Sequence, residues 1–505
     1  MPCFARAATI AGAALLLGSP ALHAQRGGTD WTTVGNDAQR SNWLRGDGRI
    51  TPDVMTKPGG FEMLWKAKFN NTARQMNSIT PPALIDFYIG YRGFRTLGFF
   101  GGSSDTVIAV DTDLARIEWE KKTGSGTPSA PATVQCPGGM TSSVARITAI
   151  SYPPSGFGRG RGNPAASGVG EPGEGAVTLK ARPPQPAPPP PPPAAAKTGR
   201  RQTAPVNVYS PRVQYVYSVS GDGKLHLMYI SNGEEPNAAI PFLPANAHAR
   251  GLMVFDNIAY VATVNGCGGV DNGIWALDLE TKKVSQWKSA SGNVAGTQGF
   301  AVGPDGMIFV AAGNELVALD SEALTQKGTY KTGGAAFTSS PLVFEFKGKN
   351  VIAASTADGK VHLVDAAGMT SVGSGDAGMG DYAVGALTSW QDAGGARWIL
   401  APSTSKVTAL KVTDSGLDKG WISRDMVQPI SPIVVNGVVF AVSAGKRGTP
   451  AVLYALDAAT GKDVWNSGKS MTSFVTTGGM SAGGGRVYVS THDGIQYAFG
   501  IPMEH

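Results

Sequence analysis

The chain has 505 residues, six histidines, three cysteines and a formal net charge of +6 at pH 7. After residue 24 no stretch approaches the ~20 consecutive apolar residues of a transmembrane helix, so we expect a chain that does not span the membrane. The sequence contains neither a CxxCH haem-attachment site nor a metal-ligand spacing of histidines, and we predict no metal site.

Residues 1–24 have the organisation of a secretory signal peptide. One early charge, Arg6, precedes an apolar run over residues 7–17, and small and turn residues follow it. We therefore expect export to a periplasmic or secreted location and a mature chain of residues 25–505.

The strongest pattern in the sequence is a repeat. The segment LYALDAATGKDVW, residues 453–465, has relatives in VIAVDTDLARIEW at 107–119 and IWALDLETKKVSQW at 274–287. Each copy has an alternating apolar strand, an Asp, a turn and a closing Trp. The aligned Asp position gives eight phase markers, and the later ones are 42 to 46 residues apart, which indicates a repeat architecture. The markers are Asp111, Tyr229, Asp278, Asp320, Asp365, Lys411, Asp457 and Gly500.

Each repeat predicts one propeller blade of four antiparallel strands. Short apolar strands and Ser/Thr-x-Asp-Gly turns, as in STADGK at 355–360, come before the marker. We expect the marker Asp to accept turn N–H groups and the Trp to pack between neighbouring sheets. Eight markers predict an all-β, eight-bladed β-propeller over residues 25–505. The last repeat lacks a fourth strand, and we expect residues 61–65, FEMLW, to pair with residues 485–500 and close the ring.

One long segment interrupts the repeat between Asp111 and Tyr229. Residues 152–207 are rich in Gly, Ala and Pro, include six consecutive prolines, and contain seven basic residues against two acidic ones. We predict a disordered basic insertion between the first and second strands of blade two. Because this insertion holds most of the net charge, the propeller is close to neutral, and we expect no nucleic-acid partner. The insertion is either a tether for an anionic surface or a proline-recognising partner, or a tolerated loop.

The chain resembles the pyrroloquinoline-quinone (PQQ) type repeat family, whose blades carry an A-x-D-x-x-T-G-x-x-x-W signature. Residues 455–465 match the signature in full, residues 276–287 match it with one extra residue, and DWTTVGNDAQRSNW from Asp30 is similar to the start of quinoprotein dehydrogenases. The resemblance implies a propeller that is either a dehydrogenase with PQQ and Ca²⁺ or a scaffold, such as the propeller lipoprotein of outer-membrane barrel assembly. Those dehydrogenases typically place an adjacent Cys-Cys pair over the quinone, and this sequence has no adjacent pair. No Ca²⁺-ligating set or catalytic base maps onto it residue by residue.

The mouth of the central channel is where a propeller meets ligands, through loops between blades and turns between the second and third strands. Polar residues at predicted strand starts are candidates for cofactor or ligand binding there, although ordinary loop polarity also explains each one. The candidates are Asn77, Arg250, Gln298 and Tyr382, and Arg74, Gln75 and His248 lie at similar positions. Cys136 and Cys267 fall on the same face in adjacent blades, so they either form a disulfide or are two separate small buried residues.

These observations leave three hypotheses of function. The leading one is an exported, monomeric scaffold that binds a protein partner or small ligand at a propeller face, with no catalytic residue and no required cofactor. The alternative is a PQQ-dependent oxidoreductase of alcohols or sugars, with PQQ and Ca²⁺ at the channel mouth. The third is a structural surface protein anchored through its basic insertion.

Overall fold

A computed structural model describes residues 30–72, 79–90, 93–124, 132–153, 214–378, 385–476 and 479–502. These residues form eight sheets, and the strand order within them is that of a propeller. The predicted all-β, eight-bladed propeller is therefore confirmed. Within the described ranges, no helix has the length and apolar character needed to cross a membrane.

The blades follow one another in sequence order, each from its innermost to its outermost strand. The chain begins with β1 (Trp43–Leu44), α1 (Pro52–Thr56) and β2 (Glu62–Lys68). Blade one contains β3 (Ala83–Gly90), β4 (Gly93–Gly102), β5 (Thr106–Asp111) and β6 (Arg116–Lys122). Blade two contains β7 (Tyr215–Val219), β8 (Lys224–Tyr229) and β9 (Ile240–Pro241). Blade three contains β10 (His248–Phe255), β11 (Ile258–Val264), a 3-10 turn (Cys267–Gly269), β12 (Gly273–Asp278) and β13 (Val284–Lys288). Blade four contains β14 (Phe300–Val302), β15 (Ile308–Ala312), β16 (Glu315–Leu319) and β17 (Gln326–Lys331).

The remaining four blades continue this order. Blade five contains β18 (Leu342–Phe346), β19 (Lys349–Ser355), β20 (Lys360–Asp365) and β21 (Thr370–Asp376). Blade six contains β22 (Thr388–Gln391), β23 (Arg397–Pro402), β24 (Val407–Thr413) and β25 (Gly416–Ile422). Blade seven contains β26 (Ile433–Val435), β27 (Val438–Ser443), β28 (Val452–Asp457) and β29 (Asp463–Asn466). Blade eight contains β30 (Met480–Gly483), β31 (Arg486–Ser490) and β32 (Ile495–Gly500), with β2 as its outermost strand.

The marker Asp and the outer-strand Trp of the repeat couple neighbouring blades at the junctions where both occur. In blade seven, Asp457 Oδ1 accepts the backbone N–H and the hydroxyl of Thr460, at 2.8 and 2.7 Å, and this closes the turn between β28 and β29. Trp421 of blade six donates from Nε1 to the Ala458 carbonyl in the same turn, 2.8 Å away. Its ring lies against Gly461, where a Cβ would collide with it. The same bond joins Trp119 to Ile230 and Trp65 to Thr112.

The ring closes through β2, as the sequence predicts. This strand pairs antiparallel with β32, from Glu62 opposite Gly500 to Lys68 opposite Ile495, and so extends beyond the predicted residues 61–65. Trp65 of β2 donates from Nε1 to the Thr112 carbonyl of blade one, 2.9 Å away. The last blade is thereby joined to the first by the same bond that joins blade one to blade two and blade six to blade seven.

An N-terminal segment, residues 31–47, contacts all eight blades before it reaches α1. We call it the axial segment. It lies at the end of the channel beside the turns between the first and second strands of the blades, and we call this end the lower face. The opposite end, where the first strands begin, is the upper face. The contacts join Trp31 to Leu84, Thr32 to Arg146, Thr33 to Leu252, Ala38 to Val302, Gln39 to Val343, Ser41 to Ser389, Asn42 to Val434 and Asp47 to Gly485, in blades one to eight respectively.

Blade two departs from the four-strand prediction. Its innermost position is held by Ala145, which exchanges two backbone hydrogen bonds with Tyr217, at 2.9 and 2.8 Å. The chain then crosses the lower face toward blade three instead of turning back to form a hairpin in blade two. Thr148 N–H donates to the Val254 carbonyl of blade three (2.8 Å). Tyr152 hydroxyl donates to Asn350 Oδ1 of blade five (2.9 Å). The described residues around this crossing therefore add no further inner strand to blade two.

Two predicted segments fall outside the described residues. The signal peptide, residues 1–24, lies outside them entirely. The basic insertion, residues 152–207, lies outside them except for its first two residues. Both stay predictions.

Replacing Trp65 by Ala tests the ring closure. The substitution removes the bond to the Thr112 carbonyl and the ring contact with Tyr488, so we expect the free energy of unfolding in urea to fall by about 3 kcal/mol. Trp65→Phe keeps most of the packing and loses the hydrogen bond, and a decrease of about 1 kcal/mol is expected. Unchanged stability of Trp65→Ala would contradict closure through β2.

Candidate functional site: the upper mouth of the channel

The upper mouth is built from the starts of the innermost strands, which lie close to one another. Serine hydroxyls there bond to the backbone of a neighbouring blade, and this satisfies strand-edge groups that burial would otherwise leave unpaired. Ser142 Oγ accepts the Leu252 N–H (3.0 Å), Ser340 Oγ the Gln298 N–H (2.9 Å) and Ser431 Oγ the Ala386 N–H (2.7 Å), while Ser481 Oγ donates to the Pro82 carbonyl (2.7 Å).

Blades four to six fill their side of the mouth with backbone. Thr297 N–H donates to the Gly385 carbonyl, 2.9 Å away, although the two residues belong to blades four and six. Gly296 has φ +72°, and a Cβ there would overlap the backbone nitrogen of Ser340. A Cβ on Gly385 would lie 2.8 Å from the Thr297 hydroxyl. These strands therefore leave no space for a ligand inserted between them.

Arg250 supplies a positive charge at the described part of this mouth. It lies near the start of β10 and is partly exposed, and its Nη1 donates to the Gly296 carbonyl in blade four. Burial lowers the pKa of Arg250 to about 10, so the guanidinium is still protonated at neutral pH. Among the described starts of the innermost strands, no other Arg or Lys occurs.

The other predicted candidates are distributed differently. Gln298 is buried below the mouth, where its Nε2 donates to Asn42 Oδ1 of the axial segment, 3.0 Å away. Its amide thus holds the axial segment against blade four. Asn77 and Tyr382 lie outside the described residues, as do Arg74 and Gln75. Of the four candidates, the structure places Arg250 at the mouth and Gln298 beneath it.

A disulfide and a buried histidine form one corner of the mouth. Cys136, before blade two, is bonded to Cys267 in the turn between the second and third strands of blade three, with 5.4 Å between the Cα atoms. The Gln135 carbonyl next to it accepts hydrogen bonds from His248 Nδ1 (2.7 Å) and Asn265 Nδ2 (2.9 Å). Burial, and then the charge of Arg250, lower the pKa of His248 to about 3. His248 is therefore neutral near pH 7.

His226 and His362 have equivalent positions in blades two and five. His226 lies between Ser220 Oγ (2.9 Å from Nε2) and Glu235 Oε2 (3.2 Å from Nδ1), an order that resembles a catalytic triad. His362 lies between Thr356 Oγ1 (3.1 Å) and Tyr330 hydroxyl (3.0 Å) in the same way. Because the arrangement recurs with different partners and Ser220 is buried, we interpret it as part of the blade structure.

Arg40, which the sequence reasoning missed, lies on the axis below the mouth. It is fully buried, and its guanidinium donates to the Phe300 carbonyl (2.9 Å), the Gly251 carbonyl (2.7 Å) and Thr33 Oγ1 (2.8 Å). Burial lowers its pKa to about 9, while Asp37 acts in the opposite direction. The segment that contains Arg40 lies outside the repeat, so the periodicity carries no information about which of its side chains point inward.

The described residues of the mouth do not fit a quinone bound through Ca²⁺. Calcium takes six to eight oxygen ligands, carboxylates among them. The described starts of the innermost strands contain no Asp or Glu, and no group of three His, Cys, Asp or Glu side chains in the described part of the chain could hold a metal ion. The guanidinium of Arg250 would repel a divalent cation. We therefore derive no chemical step through a bound quinone.

The fold defines an eight-bladed propeller, and the family model below defines its class as a PQQ-type repeat propeller. A family model described as "Outer membrane protein assembly factor BamB" (PQQ_2) matches residues 241–467 and 381–501, which together span more than half of the chain. The chain belongs to this family. No curated protein sequence gives a significant match.

Solved structures with very different sequences share the fold. The quinohemoprotein alcohol dehydrogenase from Comamonas testosteroni has a TM-score of 0.58 at 14% identity, over 94% of this chain and 82% of that chain. A europium-containing methanol dehydrogenase has a TM-score of 0.58 at 9% identity, over 94% and 98%. The computationally designed Ika8 protein has a TM-score of 0.51 at 12% identity, over 86% and 98%. At these identities the similarity shows the fold alone.

The pKa of His248 predicts a pH dependence of stability. Because its folded-state pKa lies below the ~6.5 of an unfolded histidine, the unfolded chain binds more protons below pH 6.5. This part of the stability is complete above pH 6.5, and we expect it to fall by up to about 1.4 kcal/mol for each pH unit below that value. Urea unfolding at pH 7 and pH 5 measures the effect, and His248→Gln should reduce the difference between the two. An equal loss in both proteins would contradict this role of His248.

Proposed function

We propose that the protein is an exported scaffold of the cell envelope, which binds a partner at the upper face of the propeller and performs no redox reaction. The observation that carries this proposal is the closely packed mouth, where backbone of blades four and six is in direct hydrogen-bond contact. The axial segment fills the lower part of the same channel. The channel thus supports a rigid ring, and its upper face is the part left for recognition.

The family match agrees with this proposal. The matched model is described as an outer membrane protein assembly factor, which implies a role in contacts between proteins. A propeller presents eight sets of loops on a rigid frame, and such a frame suits protein recognition. The sequence-based signal peptide gives the route to the envelope.

Cofactor loading tests the proposal against a dehydrogenase role. Purified protein incubated with PQQ and Ca²⁺, then freed of excess quinone, should retain much less than one quinone per chain. It should also fail to reduce an electron-accepting dye with alcohols or sugars. Stoichiometric quinone together with dye reduction would overturn the scaffold proposal.

A bulky substitution tests the upper face directly. Thr297→Trp adds a large side chain to the partly exposed mouth, and Thr329→Trp adds the same side chain to the outer strand of blade four. After crosslinking in intact cells, we expect discrete crosslinked species with wild type and Thr329→Trp, and their loss with Thr297→Trp. Urea unfolding checks that both variants are folded. Identical crosslinking in all three proteins would contradict binding through the mouth.

A further inference from the structure

Arg250 differs in its surroundings from the other arginines whose guanidinium groups are enclosed in the described structure. Four of the others pair with a carboxylate, Arg40 donates to several oxygens, and Arg397 has one carbonyl partner but lies over the rings of Trp43 and Phe344. Arg45 pairs with Asp37 (3.0 Å), Arg95 with Glu118 (2.7 Å), Arg146 with Asp30 (2.5 Å) and Arg486 with Asp113 (2.7 Å), while Arg40 bonds to the backbone and Arg397 to the Glu345 carbonyl (3.2 Å). Arg250 has the Gly296 carbonyl as its one hydrogen-bond partner among the described residues.

No carboxylate among the described residues compensates the charge of Arg250. A guanidinium has five N–H donors, and a single carbonyl uses a small part of that capacity. No described carboxylate forms an ion pair with Arg250, and His248 beside it is neutral near pH 7. A partly exposed cation with free donors at a mouth of this kind attracts anions, because the surrounding protein screens the charge less than water does.

The groups around Arg250 also favour a negatively charged ligand. Thr297 and Thr141 are partly exposed hydroxyl residues in the neighbouring blades, and they carry no negative charge. Gly296 brings backbone close to the guanidinium without a side chain that would cover it. The described part of the mouth therefore combines the cation of Arg250 with neutral hydrogen-bonding groups.

We propose that Arg250 forms a carboxylate-binding site at the upper mouth that requires no metal ion. A guanidinium binds a carboxylate through two parallel N–H···O bonds, which supplies both charge and direction. The carboxylate comes from a small polycarboxylic acid or from an acidic residue or C-terminus of a protein partner. This site rests on the proposed function, because it gives the chemistry by which the scaffold's upper face recognises its partner.

Calorimetric titration with two probes separates the two sources. Citrate represents a free polycarboxylic acid, and an Asp-rich peptide with a free C-terminus represents a protein partner. Both titrations are made at low ionic strength in buffer freed of divalent cations by a chelating resin, and the peptide titration is repeated with Ca²⁺. We expect wild type to bind at least one probe, with no need for Ca²⁺, and Arg250→Gln to weaken that binding at least tenfold.

Two further variants keep the test decisive. Lys419→Gln removes one positive charge from an exposed position of β25 and should bind like wild type. Arg250→Lys keeps the charge but loses the two-pronged geometry, so we expect binding between that of wild type and Arg250→Gln. Binding by Arg250→Gln equal to wild type, dependence on Ca²⁺, or no binding of either probe by wild type would overturn the site.

The outcome also distinguishes this site from the scaffold role. If Thr297→Trp abolishes partner crosslinking while wild type binds neither probe, the scaffold proposal holds and the carboxylate site is wrong. If wild type takes up stoichiometric PQQ and reduces dye, the scaffold proposal itself is wrong.

Discussion

The contact between an outer-strand tryptophan and the turn of the next blade sets the geometry of the ring. Trp421 illustrates both parts of it, since the indole donates a hydrogen bond to Ala458 and its ring covers Gly461. The turn can accept this ring because Asp457 fixes the turn's backbone and Gly461 has φ +71°, where a side chain would be strained. Each such contact buries aromatic area and fixes the distance between neighbouring sheets.

The ring leaves a problem at its centre that the axial segment solves. The innermost strand of a blade has one edge that no other strand of that blade covers, and unpaired backbone groups at such an edge are costly when buried. Carbonyls of the axial segment accept N–H groups from these edges, as Ala38 does from Val302 and Gln39 from Val343. Arg40 reverses the pairing by donating to carbonyls of blades three and four. The seventeen residues of the axial segment thus supply hydrogen-bond partners to the inner edges of all eight blades.

The repeat made the ring predictable from the sequence. The structure of segments outside the repeat could not be predicted in this way. Blade number and the closing strand follow from the phase markers, because each marker lies at the end of the third strand of one blade, and the last one leaves a blade that needs a fourth strand. The axial segment has no phase, so the sequence does not reveal that Arg40 is central. Arg250 lies near the start of an innermost strand and Gln298 lies just before one. Even so, Arg250 reaches the mouth, whereas Gln298 contacts the axial segment. A β-bulge between Arg250 and Met253 shifts the register of β10, and such a shift has no periodic signal in the sequence.

The similarity in fold to dehydrogenases does not by itself imply the same reaction, because the residues that form the blades are not the residues that line the mouth. Blades require the turn Asp, the Trp and alternating apolar strands. At the described strand starts of this chain, small polar residues such as Ser340 and Ser431 are used to bond neighbouring backbone. A position occupied by such a serine cannot also present a carboxylate to a divalent cation. The use of serines to bond neighbouring backbone at these strand starts therefore also leaves Arg250 without a carboxylate partner among the described residues.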